Sequence, residues 1–347
     1  MFFILLDEFQ RYADMSMVLK NIVDHHPNIK IYVSGSSSLA ISTRIQESLA
    51  GRKRIVPIYP LTFREFLHFK YRDDLIDQMD RLGALQSDRC PQLVPELYDK
   101  LRDFLLFGGY PEVALAGSVE EKRQILTSIF DLYVRKELVD YLQIQKIRHV
   151  KTMIQSLAVN HGQAVKYNQL GQIAGLDDKT LKNYLEILKE TYLILVQPPW
   201  FRNKNLEIVK MPKIYFLDNG VRNYFINNFN PPEQRDDTPF LFEGFVLTEL
   251  LKNGEPASSL KYWRTKNREE VDVILDHGPQ VIPIEVKYKQ RLSSSDFRGL
   301  RAFKKKYPHA GRPYLINLAS NISQREVSLL LPFSLLPENM RGGSNDH

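Results

Sequence analysis

The chain of 347 residues is 43% hydrophobic and 25% charged, the proportions of a folded globular protein and not of a disordered or low-complexity one. That length exceeds a comfortable single core, so two or three domains are expected. The single cysteine, Cys90, excludes an internal disulfide and a cysteine-rich metal site and points to a reducing, cytoplasmic setting.

No run approaches the roughly 20 apolar residues of a bilayer span, so no membrane association is expected. The opening Met-Phe-Phe-Ile-Leu-Leu lacks the basic start of a signal peptide and runs straight into Asp7-Glu8. The formal charge of +6 is local: residues 200–315 carry 20 Lys+Arg against 14 Asp+Glu, and the remainder carries 27 of each. A basic segment suits a polyanion such as DNA, and equally an ordinary solvated surface.

In chain order, Phe2 to Leu6 reads as a buried strand ending in two carboxylates. Met17, Val18, Ile22 and Val23 at helical spacing predict a helix over Met15 to His25. Ile29 to Val33 is a second apolar strand, ending in Ser34-Gly35-Ser36. Strand, helix, strand with polar strand ends is the rhythm of a parallel α/β sheet, whose ligands sit at the carboxyl ends. Residues 55–69 read as another strand followed by a helix from Thr62, and residues 73–150 as helical with a break at Phe107 to Pro111.

From 151 to 218 the punctuation changes to helix, turn, helix and hairpin, the pattern of a winged helix-turn-helix. Lys179 and Lys182 fall on its recognition helix and Arg202 and Lys204 on its wing, the candidates for DNA contact. Asp177, Asp178, Glu186 and Glu190 leave that helix little net positive charge, so packing or dimerisation is the competing role. Residues 240–318 return to α/β: a helix over Phe242 to Leu251, strands near Leu260 to Thr265, Glu270 to Leu275 and Gln280 to Val286, then a helix over Ser295 to Lys306. The polar tail after Pro337 is expected to be loose.

Two sets of residues carry chemistry. An apolar strand ending in Asp7-Glu8 can hold Mg²⁺ through the aspartate and orient a water through the glutamate. The serines at the next strand end would face a γ-phosphate. In the second set, Glu243 lies on a helix, Asp272 on one strand and Glu285 and Lys287 on the next. Period 2 places Glu285 and Lys287 on one face. Carboxylates in hard oxygen geometry bind Mg²⁺ or Mn²⁺, and a lysine can position the attacking water. A salt-bridged strand cluster with no metal is the alternative. His25-His26 has no metal-spaced partner, and Lys304-Lys305-Lys306 reads as a solvated helix end that could track a phosphate backbone.

Leu-Leu-Asp-Glu-Phe-Gln, Val-Ser-Gly-Ser-Ser-Ser, Ala-Gly-Arg and Tyr-Pro-Leu-Thr-Phe-Arg-Glu-Phe together resemble the AAA-type P-loop ATPases that carry a C-terminal domain of unknown function. The likeness continues through Gly-Gly-Tyr-Pro-Glu (108–112) and Lys-Ile-Tyr-Phe-Leu-Asp (213–218). It implies Asp7 and Glu8 as the Walker B pair, Ser34 to Ser36 as the sensor-1 region and Arg52 as a nucleotide contact. Glu243, Asp272, Glu285 and Lys287 resemble the PD-(D/E)xK pattern of restriction-endonuclease-like folds.

The implied architecture is α/β and multidomain. It comprises a partial ATPase sheet (1–72), a helical region (73–150), a winged helix (151–218), a nuclease-like domain (219–318) and an extension (319–347). No G-x-x-x-x-G-K-[ST] string occurs, so the chain is expected to begin downstream of Walker A, as a fragment or a decayed ATPase, and to hydrolyse ATP negligibly. ATP binding and hydrolysis coupled to DNA is the function implied for full-length relatives. A DNA- or partner-binding protein with silent sites, and a metal-dependent nuclease independent of ATP, are the alternatives. Self-association is compatible with all three.

Overall fold

In the computed structural model the described residues are 1–7, 9, 15–35, 52, 54–84, 95–133, 147–318 and 327–333. The N-terminal elements are β1 (Phe2–Leu6), α1 (Met15–His25) and β2 (Ile29–Val33), with β1 and β2 paired in parallel. They share a small core of their own, Phe9 and Leu19 packed with Leu6, Val23 and Ile31.

The expected strand at 55–60 does not form. Pro57 and Pro60 supply no N–H for a ladder, and Ile55, Val56 and Ile58 are exposed instead of buried. The helix that follows does form. In α2 (Phe63–Phe69), Thr62 and Glu65 make a reciprocal capping box.

Helices α3 (Asp73–Ala84) and α4 (Pro95–Phe107) come next, and with α2 they join the largest core. There Phe63, Phe66 and Phe104 interlock with Phe245 of α12 (Thr238–Lys252). Fully burying each such side chain stabilises by about 1.5–3 kcal/mol. Helix α12 is buried on nearly every side and mostly apolar, as befits a helix enclosed by protein.

A second core joins α5 (Pro111–Leu115), α6 (Val119–Tyr133), α7 (Ile147–Val159), α8 (Tyr167–Ala174) and α9 (Asp178–Glu190) to the antiparallel pair β3 (Ile194–Gln197) and β4 (Lys213–Phe216). Gly175, at φ +65°, ends α8, and Asp177 caps α9 by accepting from Thr180 N–H at 2.9 Å. Between β3 and β4 lies α10 (Lys204–Val209), and after β4 comes α11 (Asn219–Phe225).

The C-terminal sheet runs β5 (Leu260–Arg264), β6 (Glu270–His277), β7 (Gln280–Val286), β8 (Tyr314–Ile316) and β9 (Ser328–Leu330). The first three strands form an antiparallel meander, and β8 and β9 add in parallel. Alternation along the strands sends Val273, Leu275, Ile282 and Ile284 into the core shared with α12. Ile274 and Leu315 pack with α13 (Arg298–Lys306). The result is a mixed α/β layered unit, with β9 supplied by the segment expected to be an extension. The tail after Pro337 and Cys90 lie outside the described residues.

Candidate functional site

The pairing Val273↔Ile284, carried one residue further, sets Asp272 on β6 opposite Glu285 on β7. Lys287, just past the end of β7, places its Nζ 2.5 Å from Glu285 Oε1 and 3.5 Å from Asp272 Oδ2. Asp272 Oδ2 also accepts the Val286 N–H at 2.8 Å, which fixes its rotamer. The Asp272 backbone is held too: Gln197, fully buried at the end of β3, donates to the carbonyls of Lys261 and Asp272 at 3.0 Å each. Gly299 of α13 lies against Glu285 Oε2 and the Glu270 carbonyl, and any side chain there would collide with that carbonyl.

Burial, followed by the charge of Asp272, pushes the Glu285 carboxyl well above the usual range. Burial pulls Lys287 down, but the charges of Asp272 and Glu285 outweigh it and raise the ammonium pKa. The side chains of Asp272 and Glu285 are enclosed, whereas that of Lys287 is 25% exposed and forms the solvent-facing rim.

Glu243 comes from α12 and is engaged elsewhere. Its Oε1 accepts from Lys213 Nζ at 2.8 Å and from the Tyr215 hydroxyl, both on β4. Lys213 also reaches Glu270 Oε1 at 2.6 Å. Burial raises Glu243 to about 7; Lys213 opposes this and the nearby Asp272 charge adds to it. Lys213 and Tyr215 were not among the candidates from sequence. Their two-residue spacing inside a short strand was the available signal.

Among the described residues no group of three or more His, Cys, Asp or Glu side chains is set to hold a metal ion. Asp272 and Glu285 are a pair, and Mg²⁺ is commonly held by one or two carboxylates with water and substrate oxygens completing its shell. Glu285 Oε2 suits that use, being buried without a hydrogen-bond partner. The donor set therefore fits a hard divalent cation with two protein oxygens.

At the N-terminal end, Asp7 and Ser34 sit at the adjacent carboxyl ends of β1 and β2, where the Ser34 hydroxyl donates to Asp7 Oδ1. Arg52 pairs with Asp24 of α1. Glu8 and Ser36 lie outside the described residues.

Of the candidate DNA contacts, Lys179 and Arg202 are exposed, and Lys182 pairs with Asp178 at 2.7 Å. Lys204 is tied across to the C-terminal sheet, 2.5 Å from Asp276 and 3.1 Å from Glu207. Among the described residues no helix is long and apolar enough to cross a membrane.

Residues 1–67 match the AAA domain, 98–232 a domain of unknown function (DUF8612) and 239–336 another (DUF4143). An uncharacterized protein of Methanocaldococcus jannaschii is 24% identical over 86% of this chain and 64% of its own length. One from Haemophilus influenzae is 24% identical over 83% and 66%. One from Mycobacterium tuberculosis is 26% identical over 82% and 58%. The chain thus spans about 58–66% of the length of these relatives. A crystal structure of a Vibrio cholerae protein aligns over 97% of this chain and 89% of its own at 11% identity, with a TM-score of 0.22, too low to speak for a common fold.

The chain thus pairs a match to an AAA domain with a match to a C-terminal domain of unknown function, the combination expected from the Asp7 strand and the C-terminal motifs.

Proposed function

We propose that the protein acts on DNA through its C-terminal domain, with Asp272, Glu285 and Lys287 forming a divalent-cation-dependent phosphodiester site of restriction-endonuclease-like type. The observation that carries this reading is the opposition of Asp272 and Glu285 across β6 and β7, with Lys287 at the rim 2.5 Å from Glu285. The order α12, β5, β6, β7, α13, β8 around that pair supports it.

In this reading Asp272 and Glu285 present hard oxygens, and Lys287 orients the phosphate or the attacking water. Bound Mg²⁺ or Mn²⁺ would supply Lewis-acid polarisation and a lowered water pKa. The Asp7–Ser34 pair is then the Walker B and sensor half of a nucleotide site. ATP turnover coupled to DNA would belong to the longer architecture of the relatives.

Nicking of supercoiled plasmid with Mn²⁺ tests the proposal. Wild type should nick, and Lys287→Ala and Asp272→Asn should not. Equal background nicking by all three proteins would sink it. That result would favour a second reading, a DNA- or partner-binding protein with silent sites. The ion pairs supporting that second reading are those of Lys287 with Glu285 and of Lys213 with Glu243, which balance the carboxylates without a metal.

A further inference from the structure

Beside the carboxylate pair, the outer side of α13 and the short 3-10 helix before it (Ser294–Phe297) line an open groove of about 380 Å³. Glu269, Ser294, Ser295, Arg298, Arg301 and Lys305 line it. The groove and the carboxylates share the first turn of α13. Gly299 turns inward against Glu285, while its neighbour Arg298 faces the groove.

The run Lys304-Lys305-Lys306 is divided by its surroundings. Lys304 donates to the carbonyls of Pro308 at 3.0 Å and Ala310 at 2.5 Å, completing a turn. Lys306 lies over the rings of Trp263 and Tyr307, 5.9 and 5.6 Å from their centroids. Lys305 is the member that enters the groove.

We infer that this groove is a track for the phosphodiester backbone of DNA, a proposal that rests on the C-terminal reading above and extends it to how substrate is held. Arg298, Arg301 and Lys305 follow the i, i+3, i+7 rule, so they form one row on the helix surface. At about 1.5 Å rise per residue the row is about 10 Å long. Laid along a duplex, with one phosphate per about 3.4 Å of axis on each strand, it covers about three phosphates. The serine hydroxyls add uncharged donors of the kind that fix register on a backbone. Three cations against Glu269 leave the groove electropositive. Its open form suits a continuous polymer better than an enclosed small anion.

Fluorescence anisotropy of a labelled DNA duplex, in EDTA and over a KCl series, tests the track. The triple variant Arg298→Ala/Arg301→Ala/Lys305→Ala should bind at least about tenfold more weakly, and its salt slope should fall by about 3. Glu269→Gln should bind more tightly than wild type, a gain that misfolding cannot produce. Wild-type affinity and slope in the triple variant would overturn the proposal. So would binding of inorganic phosphate or ATP in the groove with no affinity for the duplex. The measurement omits the metal, so a wild type that binds but does not nick would remove the catalytic reading and leave the track standing. A wild type that nicks while the triple variant binds normally would do the reverse.

Discussion

Asp218 accepts the Gly109 N–H at 2.7 Å, and this bond joins the two internal motifs, Gly-Gly-Tyr-Pro-Glu and Lys-Ile-Tyr-Phe-Leu-Asp. The other carboxylate oxygen accepts Val221 N–H at 3.0 Å and caps α11. Gly108, at φ +77°, lies so close that a side chain there would collide with the carboxylate. Asp218→Ala would leave two buried donors unpaired and should cost about 2–4 kcal/mol of unfolding free energy in urea titrations. Asp218→Asn restores one acceptor and should recover part of that loss. Equal stability of wild type and Asp218→Ala would refute the role.

Stability should fall as pH rises from about 4.5 towards 7. Glu249 on α12 accepts the Phe63 N–H at 3.1 Å, clasping the start of α2, and burial raises its carboxyl from 4.5 to about 7. The folded state therefore holds this proton more tightly than the unfolded chain does. Its stabilising contribution is complete below pH 4.5 and is lost as pH rises to about 7. Glu249→Gln keeps an acceptor for Phe63 and should flatten thermal stability across that window. The flattening should be partial, because Glu243 and Glu285 are raised in the same sense.

Lys213 is a buried ammonium shared by Glu243 and Glu270. Removing one member of a buried ion pair costs about 3–5 kcal/mol through the charge left behind. Lys213 holds the Glu243 carboxyl down, so Lys213→Met should push it above about 7, and the cost should be approached only in alkaline buffer, where Glu243 is forced to ionise. The cost should shrink as pH falls and the variant's Glu243 takes up a proton. Adding Glu243→Gln should restore stability at the higher pH, and denaturant midpoints for the double-mutant cycle measure the coupling. Additive losses would exclude the pairing.

Local pattern made most elements legible. Alternation or helical spacing marks α1, β2, β6 and β7 nearly to their ends, whereas α12 begins at Thr238, four residues before the expected Phe242. The segment 55–60 misleads because its apolar residues look like a strand, while Pro57 and Pro60 remove the donors a ladder needs. Asp272, Glu285 and Lys287 were readable because a hairpin joins them, so register follows from local chemistry. The Lys213–Glu243 pair was not, since it depends on how β4 packs on a helix 30 residues later. The docking of α2 and α4 on α12 was hidden for the same reason. No local period encodes which apolar face meets which.

Mg-ATP turnover by this polypeptide should stay at background. On the reading proposed above, Asp7 and Ser34 would offer one side of a phosphate site, but the 347 residues contain no G-x-x-x-x-G-K-[ST] string to hold the triphosphate. A coupled phosphate-release assay with Asp7→Asn as control checks this. Turnover above the control would show that Asp7 works without such a loop.

The segment between β3 and β4 is fastened to the C-terminal sheet, and the fastening can be released without touching the carboxylate pair. Trp200 N–H donates to the Tyr262 carbonyl at 2.5 Å, and Tyr262 N–H donates to Pro198 at 3.1 Å. Beside this bridge Asp276 receives Lys204 at 2.5 Å and Lys261 at 2.9 Å, while Glu207 receives Lys261 at 2.6 Å. Burial raises the Asp276 carboxyl, but its bonds to Lys204 and Lys261 prevail and lower it, so its contribution to stability is present above about pH 4 and lost in acid. Asp276→Asn would leave Lys261 less well neutralised in a buried setting and should cost about 1–3 kcal/mol. It should also loosen Trp200, which packs on Phe303 and Tyr307. Trp200 and Trp263 are the two tryptophans of the chain, so Trp263→Phe isolates the emission of Trp200. In that background Asp276→Asn should shift the emission to the red and speed proteolysis between Pro198 and Pro212. An unchanged spectrum and cleavage rate would mean that the backbone bridge alone holds the segment.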